Sequence, residues 1–134
     1  MRGELPASTA QHLWVSRDEY DAAIEALAAL VHASGWQFEQ VLCLARGGLR
    51  PGDVLSRIFD VPLAILSASS YRASAGTVQG ELDIASAITM ACGAPGGRML
   101  LVDDLVDSGV TLQRVQAHLS QTHPAITEVR TAVI

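Results

Sequence analysis

The sequence contains no lysine, and its nine basic residues are all arginines spread along the chain. A nucleic-acid surface needs clustered positive charge. This distribution, together with a formal net charge of -5, therefore argues against a nucleic-acid partner. It says little against a small anionic ligand, because two or three well-placed donors suffice to hold one.

Long apolar runs are also missing. No run is long enough to cross a bilayer, and Met1–Gln11 lacks the apolar stretch of a signal peptide. We therefore expect a cytoplasmic protein without a membrane partner, with residues 1–11 as a flexible tail. Aromatic residues make up only 4% of the chain and charged residues 17%, against 49% hydrophobic. This balance favours a single domain, residues 1–134, with an aliphatic core.

Cysteines are few, and their spacing fits neither a metal site nor a redox pair. Cys43 and Cys92 are far apart in the sequence. Cys43 lies within the apolar run Val41–Leu44, which predicts a buried thiol.

Buried strands alternate with amphipathic helices along the chain. Ser16 and Glu19 form a capping-box pattern that predicts the start of a helix over Arg17–Ala33. Short, continuous apolar runs are typical of strands that are buried on both faces. The other predicted elements are strands at Val41–Leu44, Pro62–Ser67, Leu82–Thr89, Met99–Val102 and Glu128–Ile134, and helices at Gly52–Phe59 and Thr111–Leu119.

This alternation predicts the α/β class, with a parallel twisted sheet and helices on both faces. Ligands of such sheets bind beyond the carboxyl ends of the strands. The segment Ser69–Gly80 has no apolar periodicity, and we expect it to be a mobile loop.

The segment Asp103–Thr111 carries the strongest chemical pattern. A buried strand delivers the carboxylates of Asp103 and Asp104 at its tip, and a turn of small residues then leads into a helix. Backbone N–H groups at a helix N-terminus can hold a phosphate monoester. Gly109 permits close approach or positive φ, and the Ser108 hydroxyl can add a donor. The pattern favours a phosphosugar or nucleotide site.

Two other interpretations fit the same residues. Asp103 and Asp104 could simply end a strand, with Ser108 capping the next helix. Paired acids at a strand end also occur in magnesium-dependent receiver or phosphatase-like folds, which would make the protein a phosphorylation switch.

A second candidate loop, Ala45-Arg46-Gly47-Gly48, follows the first predicted strand. A glycine pair lets backbone amides approach a ligand, and the Arg46 guanidinium offers a fork of donors for phosphate. By itself, this loop fits an ordinary strand-to-helix turn equally well.

Asp103–Thr111 resembles the phosphoribosyl pyrophosphate (PRPP) motif of the type I phosphoribosyltransferases, in which two acids precede a short loop, Ser/Thr-Gly, one residue and Thr. The resemblance runs from about Trp14 to Ile134. It is strongest to the xanthine-guanine, or purine, branch. Further support comes from three stretches: Leu44–Gly52, Ser69-Ser70-Tyr71 and Leu101–Thr111.

The resemblance implies a role for each motif residue. Asp103 and Asp104 would hold the ribose 2- and 3-hydroxyls and help to place Mg²⁺, the expected cofactor. Asp107 would also accept the proton of the purine base. The 5-phosphate would be cradled by Asp107, Ser108, Gly109, Val110 and Thr111.

The resemblance also assigns the other two loops. Ala45, Arg46, Gly47 and Gly48 match the family's pyrophosphate loop, which commonly carries a cis peptide at the position of Ala45–Arg46. A flexible loop that opens with a Ser-Tyr pair closes over PRPP in the family. The corresponding residues here are Ser70, Tyr71 and Arg72, although Ala73–Leu82 lacks the basic residue that this loop often contains.

The implied activity is that of a magnesium-dependent pentosyltransferase of purine salvage. Ribose 5-phosphate would pass from PRPP to a purine base, with release of pyrophosphate, and Arg46 and Asp107 would be the catalytic side chains. The resemblance further implies a homo-oligomer.

One departure concerns the base pocket. Purine members carry a base-reading lysine and a stacking aromatic soon after the strand that matches Glu128–Ile134, within a C-terminal hood. This sequence has no lysine and ends at Ile134. We therefore expect either a truncated chain or a base pocket that is absent or borrowed. The alternative function is a non-catalytic regulator that binds PRPP or a nucleotide.

Overall fold

The computed structural model describes residues 15–70, 82–104 and 109–134. Within these residues, the order of strands and helices follows the prediction, except that two short strands replace the one predicted over Leu82–Thr89. The helices are α1 (Arg17–Ala33), α2 (Leu49–Phe59) and α3 (Val110–Thr122), and the strands are β1 (Gln40–Ala45), β2 (Leu63–Ser70), β3 (Leu82–Ile84), β4 (Thr89–Met90), β5 (Gly97–Asp103) and β6 (Ile126–Val133).

The described strands form one mixed sheet in which β3, β2, β1, β5 and β6 lie side by side in that order. Strands β2, β1, β5 and β6 are parallel to their neighbours. The short strands β3 and β4 both pair antiparallel with β2. The predicted parallel sheet is confirmed for β2, β1, β5 and β6.

Helix α1 has the predicted bounds because the local signals at both ends are strong. The Ser16 hydroxyl accepts the Glu19 N–H at 3.1 Å, and the Glu19 carboxylate accepts the Ser16 N–H at 3.1 Å. This closes the capping box. The helix ends at Ala33 with Ser34 as its C-cap, and Gly35 follows with φ +69°, a left-handed conformation that suits glycine.

Helices cover both faces of the sheet, as predicted. Helices α1 and α2 pack on the face that presents Val41, Cys43, Leu100 and Val102. Helix α3 packs on the other face, where its inward residues meet Leu42, Leu44, Met99 and Leu101. The inward residues of α3 are Leu112, Val115 and Leu119. The alternation of buried side chains along β1 and β5 thus divides the core into two halves.

Cys43 is fully buried between β1 and α2, which confirms the expected buried thiol. Burial, and then the negative charge of Asp53, raises the pKa of Cys43 to about 12. Helix α2 passes so close to β1 at this point that a Cβ on Gly52 would overlap the Cys43 sulfur.

The prediction that α2 begins at Gly52 is wrong by three residues. The helix begins at Leu49, so Pro51 lies inside its first turn. Proline is tolerated there because the first backbone N–H groups of a helix have no intrahelical partner.

The segment after β2 departs from prediction in two places. Ser69 and Ser70 belong to β2 rather than to a loop, and residues 71–81 lie outside the described residues. The single strand predicted over Leu82–Thr89 is instead the two strands β3 and β4, separated by Ala85–Ile88. Both pair with β2, and such long-range pairing leaves no periodicity in a segment this short.

No helix among the described residues is long and apolar enough to cross a membrane. The predicted tail, residues 1–11, lies outside the described residues.

Candidate functional site

The register of the sheet brings the two candidate loops together. Strand β1 lies parallel to β5, with Gln40 beside Met99 and Cys43 beside Val102. If this register continues for two more residues, Ala45 falls at the level of Asp104. The loop that follows β1 and the acids at the tip of β5 therefore meet at the carboxyl edge of the sheet, where ligands of α/β folds bind.

Backbone hydrogen bonds connect the loop after β1 directly to the start of α2. The Gly48 N–H donates to the Leu44 carbonyl at 2.8 Å, and the Leu49 N–H donates to the Arg46 carbonyl at 3.1 Å. The peptide bond between Ala45 and Arg46 is cis, as the resemblance implies. Arg46 is exposed at the turn, so its guanidinium can reach a ligand at this edge.

Both glycines of this loop are needed for its contact with β5. A Cβ on Gly47 would overlap the Asp104 carboxylate, and a Cβ on Gly48 would overlap the Val102 carbonyl oxygen. The sequence suggested that the glycine pair serves a close approach of backbone to ligand. The structure shows that the same pair lets the loop lie against the acidic strand tip.

Asp103 and Asp104 form a pair of neighbouring acids at the end of β5. The Asp104 N–H donates to Asp103 Oδ1 at 2.8 Å. The pKa of Asp103 is raised to about 6, chiefly by burial and also by the Asp104 carboxylate, against the opposing effect of the hydrogen bond from the Asp104 N–H. Asp103 can therefore change its charge between mildly acidic and neutral pH. The ionised carboxylates of the pair can accept hydrogen bonds or bind a cation.

Helix α3 also begins at this edge of the sheet, shortly after β5 ends. Gly109 has φ +76°, a conformation that favours glycine, and the helix begins at Val110. Thr111 is exposed in the first turn, where backbone N–H groups lack intrahelical acceptors. Asp107 and Ser108 lie outside the described residues, so the predicted phosphate cradle is seen only from Gly109 onward.

A cavity of about 270 Å³ adjoins the loop on the side of β2. It is lined by Ala45, Arg46, Ser67, Ala68, Asp83 and Ala85. A positive side chain, Arg46, and a negative one, Asp83, both line this cavity. The sequence did not single out Asp83, because its place depends on the antiparallel pairing of β3 with β2.

Tyr20 and Arg50 also lie near this edge, and neither was predicted to do so. The Arg50 guanidinium carbon lies 4.8 Å from the centre of the Tyr20 ring. Burial, followed by the charge of Asp104, raises the pKa of the Tyr20 hydroxyl, and Arg50 partly offsets this. The sequence did contain a signal that Tyr20 faces the interior: it lies four residues before the buried Ile24 and so shares its helix face.

Comparison with known proteins agrees with this geometry. The family model described as a phosphoribosyl transferase domain matches residues 16–134. This chain belongs to that family. Family membership replaces the receiver-type switch as the explanation of the paired acids in Asp103–Thr111.

Individual phosphoribosyltransferases resemble the chain over most of its length. The xanthine-guanine phosphoribosyltransferase of Roseobacter denitrificans is 29% identical over 128 residues, which cover 91% of this chain and 72% of the relative. A purine phosphoribosyltransferase from Pyrococcus horikoshii superimposes with a TM-score of 0.68 at 26% identity, over 90% of this chain and 74% of the other. The Helicobacter pylori xanthine-guanine-hypoxanthine enzyme gives a TM-score of 0.70 at 27% identity, over 89% and 74%.

The structure brings together only part of the site predicted for this phosphoribosyltransferase-family chain. Ala45–Gly48, Asp103 and Asp104 meet at the carboxyl edge of the sheet, and α3 begins there with Gly109, Val110 and Thr111. The backbone of Ser70 ends β2. Tyr71 and Arg72, the other predicted lid residues, lie outside the described residues.

The donors of the acid pair fit a magnesium ion. Within the described ranges, no cluster of three or more acidic, histidine or cysteine side chains could hold a metal. Mg²⁺ is commonly held by only one or two carboxylates, with water and substrate phosphates as its other ligands. Asp103 and Asp104 supply that number of carboxylates.

Proposed function

We propose that this chain transfers ribose 5-phosphate from PRPP to a purine base and releases pyrophosphate. The observation that carries the proposal is the contact between the loop Ala45–Gly48 and the acid pair Asp103–Asp104, in a member of the phosphoribosyl transferase family. The names of the bacterial and archaeal relatives support a purine as the acceptor.

The acid pair is assigned to the sugar and to magnesium. Ionised Asp103 and Asp104 accept hydrogen bonds from the ribose 2- and 3-hydroxyls, which fixes the ring. The same carboxylates would hold Mg²⁺ together with oxygens of PRPP, and the ion when bound would offset the negative charge of the departing pyrophosphate. The 5-phosphate is assigned to Asp107–Thr111 at the start of α3.

The loop Ala45–Gly48 is assigned to the pyrophosphate. As the bond to pyrophosphate breaks, the anomeric carbon gains oxocarbenium character and negative charge develops on the leaving oxygens. The Arg46 guanidinium donates hydrogen bonds to that charge. The family resemblance assigns Ser70, Tyr71 and Arg72 to covering the ligand and excluding water, which would favour the base as the nucleophile.

Asp107 is assigned to the proton of the base. A carboxylate within hydrogen-bond reach of the purine imidazole edge can accept the proton that the base loses as its nitrogen attacks. The lysine that reads the base in purine members of the family has no counterpart here, because the chain contains no lysine. The accepted base is therefore open, and the experiment compares three bases.

Pyrophosphate release should be measured with PRPP, Mg²⁺ and, in turn, guanine, xanthine and hypoxanthine. We expect base-dependent release, and we expect Asp107→Asn to lower kcat by about 10²- to 10⁴-fold. Tight PRPP binding without release for any base would reject the enzyme and favour the non-catalytic regulator.

Three further sequence-based expectations accompany this proposal. A homo-oligomer and a cytoplasmic location are implied by the family resemblance and by composition. The scattered arginines argue against a nucleic-acid partner. Each of these stays a prediction.

A further inference from the structure

Arg50 links two helices at the edge of the sheet that carries the site. Its Nη2 lies 2.6 Å from Asp21 Oδ1, and its guanidinium carbon lies 4.8 Å from the centre of the Tyr20 ring. Tyr20 and Asp21 both belong to α1, whereas Arg50 lies in the first turn of α2. One side chain thus joins the first turns of α1 to the first turn of α2.

The first turn of α2 is continuous with the loop Ala45–Gly48. The Leu49 N–H bonds the Arg46 carbonyl at 3.1 Å, and the Gly52 N–H bonds the Gly48 carbonyl at 2.9 Å. Hydrogen bonds therefore join the loop directly to the first turn of α2. A side chain that fixes the helix start also fixes where the loop presents its N–H groups and Arg46.

Tyr20 connects this loop and helix start to the other half of the site. Its ring packs, partly buried, against the core cluster that contains Val102, the residue before Asp103. Among the neighbouring charges, that of Asp104 has the largest effect on the pKa of Tyr20, and it raises that pKa. Tyr20 thus contacts Arg50 directly and packs against the core cluster that extends to the end of β5.

We propose that Tyr20 and Arg50 are positioning residues that hold the Ala45–Gly48 loop in register with the Asp103–Asp104 pair when PRPP binds. This inference rests on the proposed function, in which those two groups grip opposite ends of the same ligand. Neither Tyr20 nor Arg50 needs to touch the ligand. The arrangement acts on ligands that span both groups and not on those that reach only the acid pair.

A second ion pair on α2 provides a matched control. Arg57 Nε lies 3.0 Å from Asp53 Oδ1, one helical turn away on the same helix, and its side chain is 78% exposed. This pair joins α2 only to itself, at the end away from the loop. Both ion pairs are substantially exposed, so their direct effects on folding should be similarly small.

The test compares PRPP with guanosine monophosphate, which has the sugar and the 5-phosphate but no pyrophosphate. Calorimetric titrations in Mg²⁺ would use the full chain and the variants Arg50→Met, Tyr20→Leu and Arg57→Met. We expect Arg50→Met and Tyr20→Leu each to raise the PRPP Kd by about five-fold or more, with the guanosine monophosphate Kd within two-fold. Arg57→Met should leave both values unchanged.

Two additional variants separate positioning from simple loss of packing. Arg50→Lys keeps the charge opposite Asp21 but loses the planar stacking group, so its PRPP Kd should lie between those of the unaltered chain and Arg50→Met. Because the two residues act as one unit, the double variant Tyr20→Leu/Arg50→Met should be little worse than either single variant.

The outcomes also separate this inference from the function beneath it. An unchanged PRPP Kd in Arg50→Met, or an equal loss of affinity for both ligands, would overturn the positioning role while leaving the proposed function intact. An unaltered chain that binds neither ligand would overturn both.

Discussion

At the scale of single residues, Asp103 has the most strongly shifted pKa among the described residues of the candidate site. Its carboxylate is half-buried at the end of β5, next to a second carboxylate, and its pKa is raised from 3.8 to about 6. Folding therefore favours the protonated acid, whereas the proposed function uses the ionised form. A bound Mg²⁺ would favour the ionised form of Asp103, because a nearby positive charge lowers the pKa of a carboxyl group.

The raised pKa of Asp103 predicts how stability depends on pH in magnesium-free buffer. The native state binds the Asp103 proton more tightly than the unfolded state, so this stabilisation is complete below about pH 4 and is lost as the pH rises through about 6. Asp103→Asn removes the cost of ionisation. The full shift corresponds to about 3 kcal/mol, and solvent screening of a half-exposed group reduces this to about 1 kcal/mol.

Thermal unfolding of Asp103→Asn at several pH values checks this prediction. Relative to the unaltered chain, its Tm should be about 3 °C higher at pH 7, with the gain vanishing near pH 4. Asp60→Asn is the control, since Asp60 is exposed at the end of α2 in a left-handed conformation that asparagine also accepts. A gain for Asp103→Asn that is independent of pH would contradict the assignment.

At the scale of elements, local sequence signals decided which segments could be predicted. Helix α1 was predicted to the residue, because a capping box marks its start and Gly35 marks its end. Helix α2 was predicted too short, since Gly47, Gly48 and Pro51 resemble a loop when tertiary contacts are unknown. Strands β3 and β4 were merged into one, because their pairing with β2 is set by the sheet and not by their own residues.

The packing of α2 on β1 gives a testable prediction at this scale. A Cβ on Gly52 would overlap the Cys43 sulfur, so Gly52→Ala should destabilise the protein by about 1–3 kcal/mol. Removing the sulfur relieves the overlap. The double variant Cys43→Ala/Gly52→Ala should therefore be more stable than the sum of the two single effects, by about 1 kcal/mol.

Urea unfolding of the single and double variants measures this coupling. Gly96→Ala is the matched control, since a Cβ there would lie 3.5 Å from the Ala125 Cβ, an ordinary contact, and its effect should stay within about 0.5 kcal/mol. Strictly additive effects of Cys43→Ala and Gly52→Ala would show that α2 does not press on β1 at this point.

At the scale of the whole molecule, the site is assembled from segments far apart in sequence. The loop after β1 and the tip of β5 could each be picked out by composition, because glycine pairs and paired acids are conspicuous in an aliphatic chain. Their contact depends on the order of strands in the sheet, which residue patterns alone did not predict. The family resemblance linked the two segments only by assigning both to the same ligand. Tyr20 and Arg50 were missed for the same reason, since their contact depends on how α1 packs beside α2.

The central claim is that one ligand is held between the acid pair and the neighbouring loop. Calorimetric titration with PRPP and Mg²⁺ tests it most directly, with Asp103→Asn/Asp104→Asn as the variant and circular dichroism to verify that the fold is retained. We predict saturable binding by the unaltered chain and a loss of at least about 100-fold, or about 2.7 kcal/mol, in the variant. Equal affinity in the folded variant, or no binding by the unaltered chain, would contradict the claim.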